Sequence, residues 1–339
     1  MTNWYEVPGN DSDVVVSSRV RLARNLADYP FEPRLSQEQA KEICDKIRSV
    51  YGDGWLCTDF SALPVTEKRA YAEKHLVSPD FAEKKMPGIL LSRNSVHIMV
   101  LEEDHLRIQS IYPGLALEEA WHDAAEADGL LDAGVNVAYT EQLGYLTHCP
   151  TNLGTGMRAS VMLFLPAYTA ARGIQPLTAQ LSKLGLTIRG MYGEGSAAEG
   201  CLYQISNQIT LGCTEEETIR KLETVVKQIV EKERQLRDKQ DKETLADRAG
   251  RTLGILLYAR RMDSTELLNL YAALRLGASM KLLEGITPSL ADRLLIEGMP
   301  NTLTISQNLE NDSGARDRAR ADRLRKILTS VCDAGTVNA

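Results

Sequence analysis

The first clear pattern lies between Asp13 and Asn25. A β-branched run, Val14-Val-Val16, passes there into alternation, so in an extended segment Arg19 and Arg21 share one face and Val20 and Leu22 the other. Two guanidinium groups two residues apart repel unless an anion lies between or above them. The segment therefore reads either as a solvated edge strand or as part of an anion clamp. Apolar runs at 95–101, 159–165 and 201–207 predict further strands, and Pro166 argues against a strand continuing through that point. Residues 36–51 predict a helix with Ser36 as N-cap and Gln39 completing a capping box. Residues 66–74 predict a shorter helix leading to His75. Residues 117–131 predict another, with Trp121 and Ala124 inward and Glu118, Glu119 and Asp123 outward. Thr214-Glu-Glu-Glu217 caps a long helix reaching toward Lys242.

The pattern changes near Lys239. From there the periodicity is helical, at 241–258, 264–273, 289–296 and 313–331, with no convincing strand. The organisation expected is a first domain over residues 1–238 and a separate helical domain over 239–339.

A chain of 339 residues has room for two domains and a large core. Its 43% hydrophobic and 25% charged residues are ordinary for a soluble globular protein. No apolar run approaches the roughly 20 residues needed to span a bilayer. The first residues offer neither a basic start nor an apolar signal core, which points to a cytoplasmic protein. The six cysteines are scattered without a Cys-x-x-Cys pair, against both a disulfide scaffold and a structural zinc site. A formal net charge of -7 weighs against a general nucleic-acid binder.

Within this acidic chain lies a basic island. Between Glu141 and Glu194 there is no acidic residue, yet Arg158, Arg172, Lys183 and Arg189 are present. The island contains Cys149-Pro-Thr-Asn-Leu-Gly-Thr-Gly-Met-Arg158, in which Gly154 and Gly156 permit close backbone approach and Arg158 offers a fork matched to phosphate oxygens. Gly154-x-Gly156-x-x-Ala159 formally fits a dinucleotide fingerprint. However, no strand-like run leads into it and no acid follows at the ribose-binding distance. A Gly-Lys-Ser/Thr P-loop and the His-Arg-Asp and Asp-Phe-Gly pair of protein kinases are absent from the sequence.

Glu102-Glu-Asp-His-Leu-Arg107 closes the apolar run at 95–101, as either a catalytic junction or a solvated polar turn. Residues 186–195 alternate Thr187 and Arg189 with Leu186 and Ile188, and then bracket Glu194 with glycines. Arg316 to Lys326 sets six basic residues against two acids, as a charged helix face or a second anion site.

Taken together, Ser17-Ser-Arg-Val-Arg21, Glu102-Glu-Asp-His-Leu-Arg107, the run Cys149 to Arg158 and Arg189-Gly190 resemble the ATP:guanidino phosphotransferases, the family of creatine and arginine kinases. Within that family the chain is similar to the bacterial protein-arginine kinases. These show Arg-Gly-x-Tyr-Gly-Glu-Gly, here at 189–195, and a helical tail with Arg-Asp-x-x-Arg-Ala, here at 316–321. The resemblance implies an α+β fold, an antiparallel sheet flanked by helices, followed by an all-helical domain.

It also implies function. ATP would be bound by Ser18, Arg19, Arg21, His75, Arg107, the run Arg158, Ala159, Ser160, Val161 and Met162, and the run Arg189, Gly190, Met191, Tyr192, Gly193 and Glu194. The five arginines would face the phosphates, with Mg²⁺ held mainly by the phosphates and no metal site of the protein's own. Glu103 and Glu194 would clamp the acceptor guanidinium, Glu103 acting as base, and Cys149 would give electrostatic support. Enclosure of a small guanidine is not implied: phosphagen kinases carry a helical domain that helps enclose one ahead of Ser-Ser-Arg-Val-Arg, a motif that here begins at residue 17. The expected acceptor is thus arginine on a protein. The alternatives are free arginine or another small guanidine, and an inactive phosphoarginine-binding adaptor. Arg316, Asp317, Arg320 and Ala321 would form an allosteric phosphoarginine site. Expected partners are arginine-bearing proteins, an activating adaptor, a Clp-type chaperone-protease and further copies of the chain.

Overall fold

The computed structural model describes residues 3–190, 199–310 and 312–332. Strands β1 (Val15–Arg24), β2 (Leu56–Asp59), β3 (Ile89–Arg93), β4 (Val96–Val100) and β5 (Leu106–Pro113) come from the first third of the chain. A short hairpin of β6 (Tyr139–Thr140) and β7 (Gly144–Tyr145) precedes β8 (Met157–Phe164), β9 (Leu186–Gly190) and β10 (Leu202–Asn207). Apart from the hairpin, the strands of the described residues form one antiparallel sheet of eight, in the order β2-β3-β4-β5-β1-β8-β10-β9. The alternating segment is therefore central, flanked by β5 and β8, and the edge-strand reading of Arg19 and Arg21 is excluded.

Helices α1 (Gln37–Tyr51), α2 (Val65–Glu73), α3 (Pro79–Glu83) and α4 (Leu117–Gly129) lie among the first strands. Helices α5 (Pro166–Ala170), α6 (Ile174–Lys183) and α7 (Glu215–Arg237) follow β8 and β10. The predicted capping box forms at Ser36/Gln39, and Thr214, the predicted cap of α7, forms a second with Glu217, each satisfying two backbone donors at a helix start. Pro166 ends β8 by opening α5. Asp123 departs from its outward expectation, since its carboxylate accepts from Tyr112 and from Ser95.

One face of the sheet carries Val20, Leu22, Ile108, Val161 and Leu163. These pack into a core with α1, α4, α6 and α7. Burying such side chains contributes about 1.5–3 kcal/mol each, which holds the strands in register.

The opposite face is divided. Toward the start of β1 it is apolar: Val16, Ile111, Met162, Phe164 and Leu202 pack against the C-terminal helices. Those helices are α8 (Lys242–Tyr258), α9 (Ser264–Ser279), α10 (Pro288–Gly298), α11 (Pro300–Ser306) and α12 (Ser313–Cys332). A bulge between Val15 and Ser17 makes this possible, because it sends Val15 into the first core and Val16 into the second. Arg275, fully buried on α9, pairs with Asp292 of α10 and donates to the carbonyls of Ser12 and Asp13. Toward the end of β1 the same face is polar, and there the functional residues gather.

Candidate active site

Strand register assembles the arginines. Arg21 lies opposite Arg158 of β8 on one side and Gln109 of β5 on the other. Ala23 lies opposite Arg107, Arg19 opposite Ser160, and on the outer strand Arg189 opposite Gln204. Directly paired residues share a face, so Arg19, Arg21, Arg107, Arg158 and Arg189 all project to the polar half.

The charges are gathered at mutual cost. Burial, then Arg158 and Arg107, pull Arg19 down to about 10. Burial, then Arg19, Arg107 and Arg158, hold Arg21 well below the usual guanidinium range, with Glu102 the one opposing influence. The buried Nε of Arg21 has no hydrogen-bond partner. Arg158 donates to Ser206 Oγ from Nε at 3.3 Å and from Nη2 at 3.1 Å. A cluster of buried cations with an orphaned donor fits a polyanion, whose oxygens would relieve both the repulsion and the missing hydrogen bond.

The loop from β4 to β5 supplies the acids. Leu101 adopts a left-handed conformation with φ 66°, turning the chain so that two carboxylates converge on Arg107. Glu102, only 2% exposed, accepts from Arg107 Nη1 at 2.7 Å and from Ser78 Oγ at 2.5 Å. Its other oxygen accepts from the Glu103 backbone N–H at 2.6 Å. Glu103 accepts from Arg107 Nη2 at 2.9 Å and is 38% exposed. Lys84 ties the same loop by donating to the carbonyls of Leu101 and Glu102.

The glycine-bearing loop closes the site. Gly154 has φ 99°, and a Cβ there would stand 2.2 Å from Thr210 O. Gly156 has φ 62°, with Ala23 O at 2.7 Å from a would-be Cβ. Both positions therefore require glycine. Thr210 Oγ1 donates within this loop to the carbonyls of Thr151 and Leu153, and Cys149 Sγ lies 3.0 Å from Thr151 Oγ1. Arg21, Arg107, Arg158, Glu103, Cys149 and Asn152 all line one cavity of about 180 Å³.

Not every expected residue faces it. Ser18, Ala159 and Val161 fall on the opposite face by alternation. The Ser18 hydroxyl donates to Gly114 O and accepts from Ala116 N, while Ala159 and Val161 are core. Met162 shares the arginine face but is buried against the C-terminal helices. Ser160 faces the polar half, where its hydroxyl accepts from Gln204. His75 takes φ 60°, packs edge-on against Trp4, and is pulled down to about 4 by burial and then by Arg19. Gly190 ends β9. Met191, Tyr192, Gly193 and Glu194 lie outside the described residues, so only the Glu103 half of the proposed carboxylate clamp has a described position.

In α12, Arg320 is 1% exposed and donates to Gly298 O, Met262 O, Asp317 and Ser264 Oγ. Its side chain is thus committed inside the protein rather than turned toward a ligand, and Ala321 is buried beside it. Arg316 and Asp317 are half-buried near the surface. Sequence reasoning missed Glu102 and Ser206 as partners of the arginines, Ser78 as the donor that holds Glu102, and β5 as the strand carrying Arg107. The alternation of Gln204 and Ser206 with Tyr203 and Ile205 was the available signal for Ser206.

Comparison with known families places this geometry. The model of the ATP:guanido phosphotransferase C-terminal catalytic domain matches residues 39–236. The chain belongs to the ATP:guanido phosphotransferases. The model of the Protein-arginine kinase McsB C-terminal domain matches residues 242–337. A protein-arginine kinase of Desulforamulus reducens is 43% identical over 343 residues, covering 97% of this chain and 96% of the relative. That of Bacillus subtilis is 39% identical over 340 residues, covering 97% and 93%. Among solved structures, the duplicated taurocyamine kinase of Schistosoma mansoni aligns with TM-score 0.61 at 23% identity, over 74% of this chain and 39% of the other. A lombricine kinase aligns with TM-score 0.58 at 24% identity, over 70% of each. These two carry the fold: an antiparallel phosphotransferase sheet with flanking helices. Among the described residues, no group of three or more His, Cys, Asp or Glu is arranged to hold a metal ion, and no helix is long and apolar enough to cross a membrane.

Proposed function

We infer that the protein is an ATP-dependent protein-arginine kinase, transferring the γ-phosphoryl group of ATP to arginine side chains. The observation that carries this reading is the joint lining of one cavity by three of the clustered arginines and by Glu103. Phosphoryl transfer needs little covalent help from a protein but much neutralisation and in-line placement. Arg19, Arg21, Arg107, Arg158 and Arg189 would hold the phosphate oxygens. Mg²⁺ bound to the nucleotide phosphates would supply further neutralisation of their charge.

The acceptor poses the harder problem, because a guanidinium with a pKa of about 12.5–13.8 is not nucleophilic at neutral pH. Glu103 would accept the N–H proton as the N–P bond forms and the bond from Pγ to the β–γ bridging oxygen breaks, releasing ADP. This carboxylate already holds one guanidinium, that of Arg107, at 2.9 Å. Cys149, on the rim of the same cavity, would add polar support to the acceptor without forming a covalent bond. Glu194 would supply the second carboxylate.

Incubation with ATP and an arginine-rich protein should give an acid-labile, alkali-tolerant N–P product visible by ³¹P NMR. Phosphoserine or phosphotyrosine alone would refute the reading. Free arginine added as competitor should inhibit poorly, and preferential phosphorylation of free arginine would replace the protein acceptor with a small guanidine.

For α12 we propose a product site built on Arg316 and Asp317, with Arg320 bracing Asp317 from beneath at 3.0 Å. Asp317 would take a guanidino N–H while Arg316 meets the phosphoryl oxygens. In the full chain, Arg316→Ala with Asp317→Ala should abolish activation by free phosphoarginine and leave ATP affinity unchanged. Activation that survives in the double variant would exclude the site.

A further inference from the structure

We propose that Asp104, together with Asn25, is the positioning pair that sets Glu103 against Cys149. The inference rests on the kinase reading above and adds residues that never touch the cavity. Asp104 directly follows Glu103 yet is 1% exposed. Its Oδ1 accepts from Asn25 Nδ2 at 2.6 Å and from the backbone N–H of His148 at 2.6 Å. His148 is the residue before Cys149, so one carboxylate oxygen joins the base-bearing loop to the cysteine-bearing loop.

Asn25 completes the junction. Its Oδ1 accepts from the His105 backbone N–H at 2.9 Å, and its Nδ2 also donates to Leu146 O at 2.9 Å. His105 extends the anchor: its Nδ1 accepts from Leu26 N at 3.0 Å, and its Nε2 donates to Pro30 O at 2.9 Å. That assignment follows from the Leu26 N–H being a donor, which fixes the other ring nitrogen as protonated. The end of β1, the β4–β5 loop and the segment before Cys149 thus meet at two buried side chains. Neither lines the cavity that Glu103 and Cys149 share.

The chemistry explains why the junction would matter for rate rather than for nucleotide binding. The phosphate-facing arginines sit on strands whose register is fixed by the sheet, independently of Asp104. Glu103 and Cys149 sit on loops, and an acceptor nitrogen misplaced by about 1 Å costs on the order of 100-fold in rate. Asp104 Oδ2 has no hydrogen-bond partner. An amide at this position can therefore keep the Oδ1 contacts while placing its NH₂ where no existing bond is lost.

The test compares Asp104→Ala and Asp104→Asn in the full chain, with an arginine-rich protein as acceptor. The alanine variant should lose about 100-fold in kcat with the KM for ATP unchanged, and the asparagine variant should recover most of the rate. Iodoacetamide labelling of Cys149, followed by peptide mass spectrometry, should change in rate in the alanine variant and return to the parent rate in the asparagine variant. A folded alanine variant with parental kcat, or an asparagine variant as impaired as alanine, would overturn the proposal. Should Asp104→Ala fail to fold, Asn25→Ser removes part of the junction and should show the same kcat loss at smaller size. Parental kcat in that variant would overturn the proposal as well. Absence of phosphoarginine from the parent protein would instead overturn the kinase reading, so the two failures are distinct.

Discussion

Two groups of arginines in this molecule look alike in the sequence and behave as opposites in the structure. On the central strands, Arg19 and Arg21 donate no hydrogen bond to a carboxylate among the described residues, and each has its pKa lowered by burial and by neighbouring arginines. On α12 the guanidinium groups are matched within the fold. Arg320 meets Asp317 and two backbone carbonyls, Arg323 meets Glu297, and Arg325 meets Asp322 and Ala259 O. The first group stores unmatched charge, and the second has it neutralised. A cluster left unmatched inside a fold is destabilising unless a ligand completes it, which is why the strand arginines point to an anion and most of the helix arginines do not.

Removing members of the two groups should therefore have opposite consequences. The largest effect is expected for Arg21→Ala, with roughly 10³-fold or greater loss of kcat/KM by analogy with arginines that stabilise a phosphoryl-transfer transition state. Its thermal midpoint should stay level or rise, because mutual repulsion falls. A large drop in the midpoint, measured by calorimetry, would mean that Arg21 is structural after all. Glu103→Gln should cost about 10²–10⁴-fold in kcat while ATP binding, followed by titration calorimetry, stays near parental.

Arg320→Ala should show the reverse. Leaving Asp317 and two buried carbonyls without their donor should cost about 3–5 kcal/mol of stability by urea denaturation, while ATP affinity per folded molecule is retained. A milder effect is expected at His75, which the neighbouring Arg19 helps to keep neutral. Its folded-state pKa of about 4 lies below its ordinary value. As pH falls from about 6.5 toward 4, the unfolded chain gains a proton that the folded chain refuses, and stability is lost across that window. His75→Asn, which tolerates the positive φ, should flatten this acid limb by less than about 2 kcal/mol, because the residue is only half-buried. His97 and His105, also shifted downward by burial, keep the remainder. The smallest effect is expected for Arg325→Ala, about 1 kcal/mol or less in the same denaturation assay.

Much of this was legible without coordinates. The alternation in 13–25 predicted the facing of Arg19 and Arg21, the capping residues predicted where α1 and α7 begin, and the four motifs predicted the family. Less legible was β5. Its residues, Leu106-Arg-Ile-Gln-Ser-Ile-Tyr-Pro113, sit in a buried central strand where polar side chains are accommodated by Glu102, His75 and Ser95 rather than by solvent. Helix α6 and the short α3 and α11 likewise escaped notice. The motif-based binding list treated Arg158 to Met162 as one run, whereas strand pleating sends Ala159 and Val161 to the opposite core.

What the sequence by itself determined was local: the period of each segment, its caps and breakers, and the glycines at 154 and 156. These depend on neighbours a few residues away, which any folded or unfolded chain keeps close. Only the tertiary structure decided which strands became neighbours, and so brought Arg21 opposite Arg158 and Asp104 within 2.6 Å of the His148 N–H. It also decided which arginines would find a carboxylate. Every guanidinium carries the same charge in the sequence. Its electrostatic consequence depends on burial and on counter-charges brought from distant parts of the chain, and those exist only once the sheet has closed around β1.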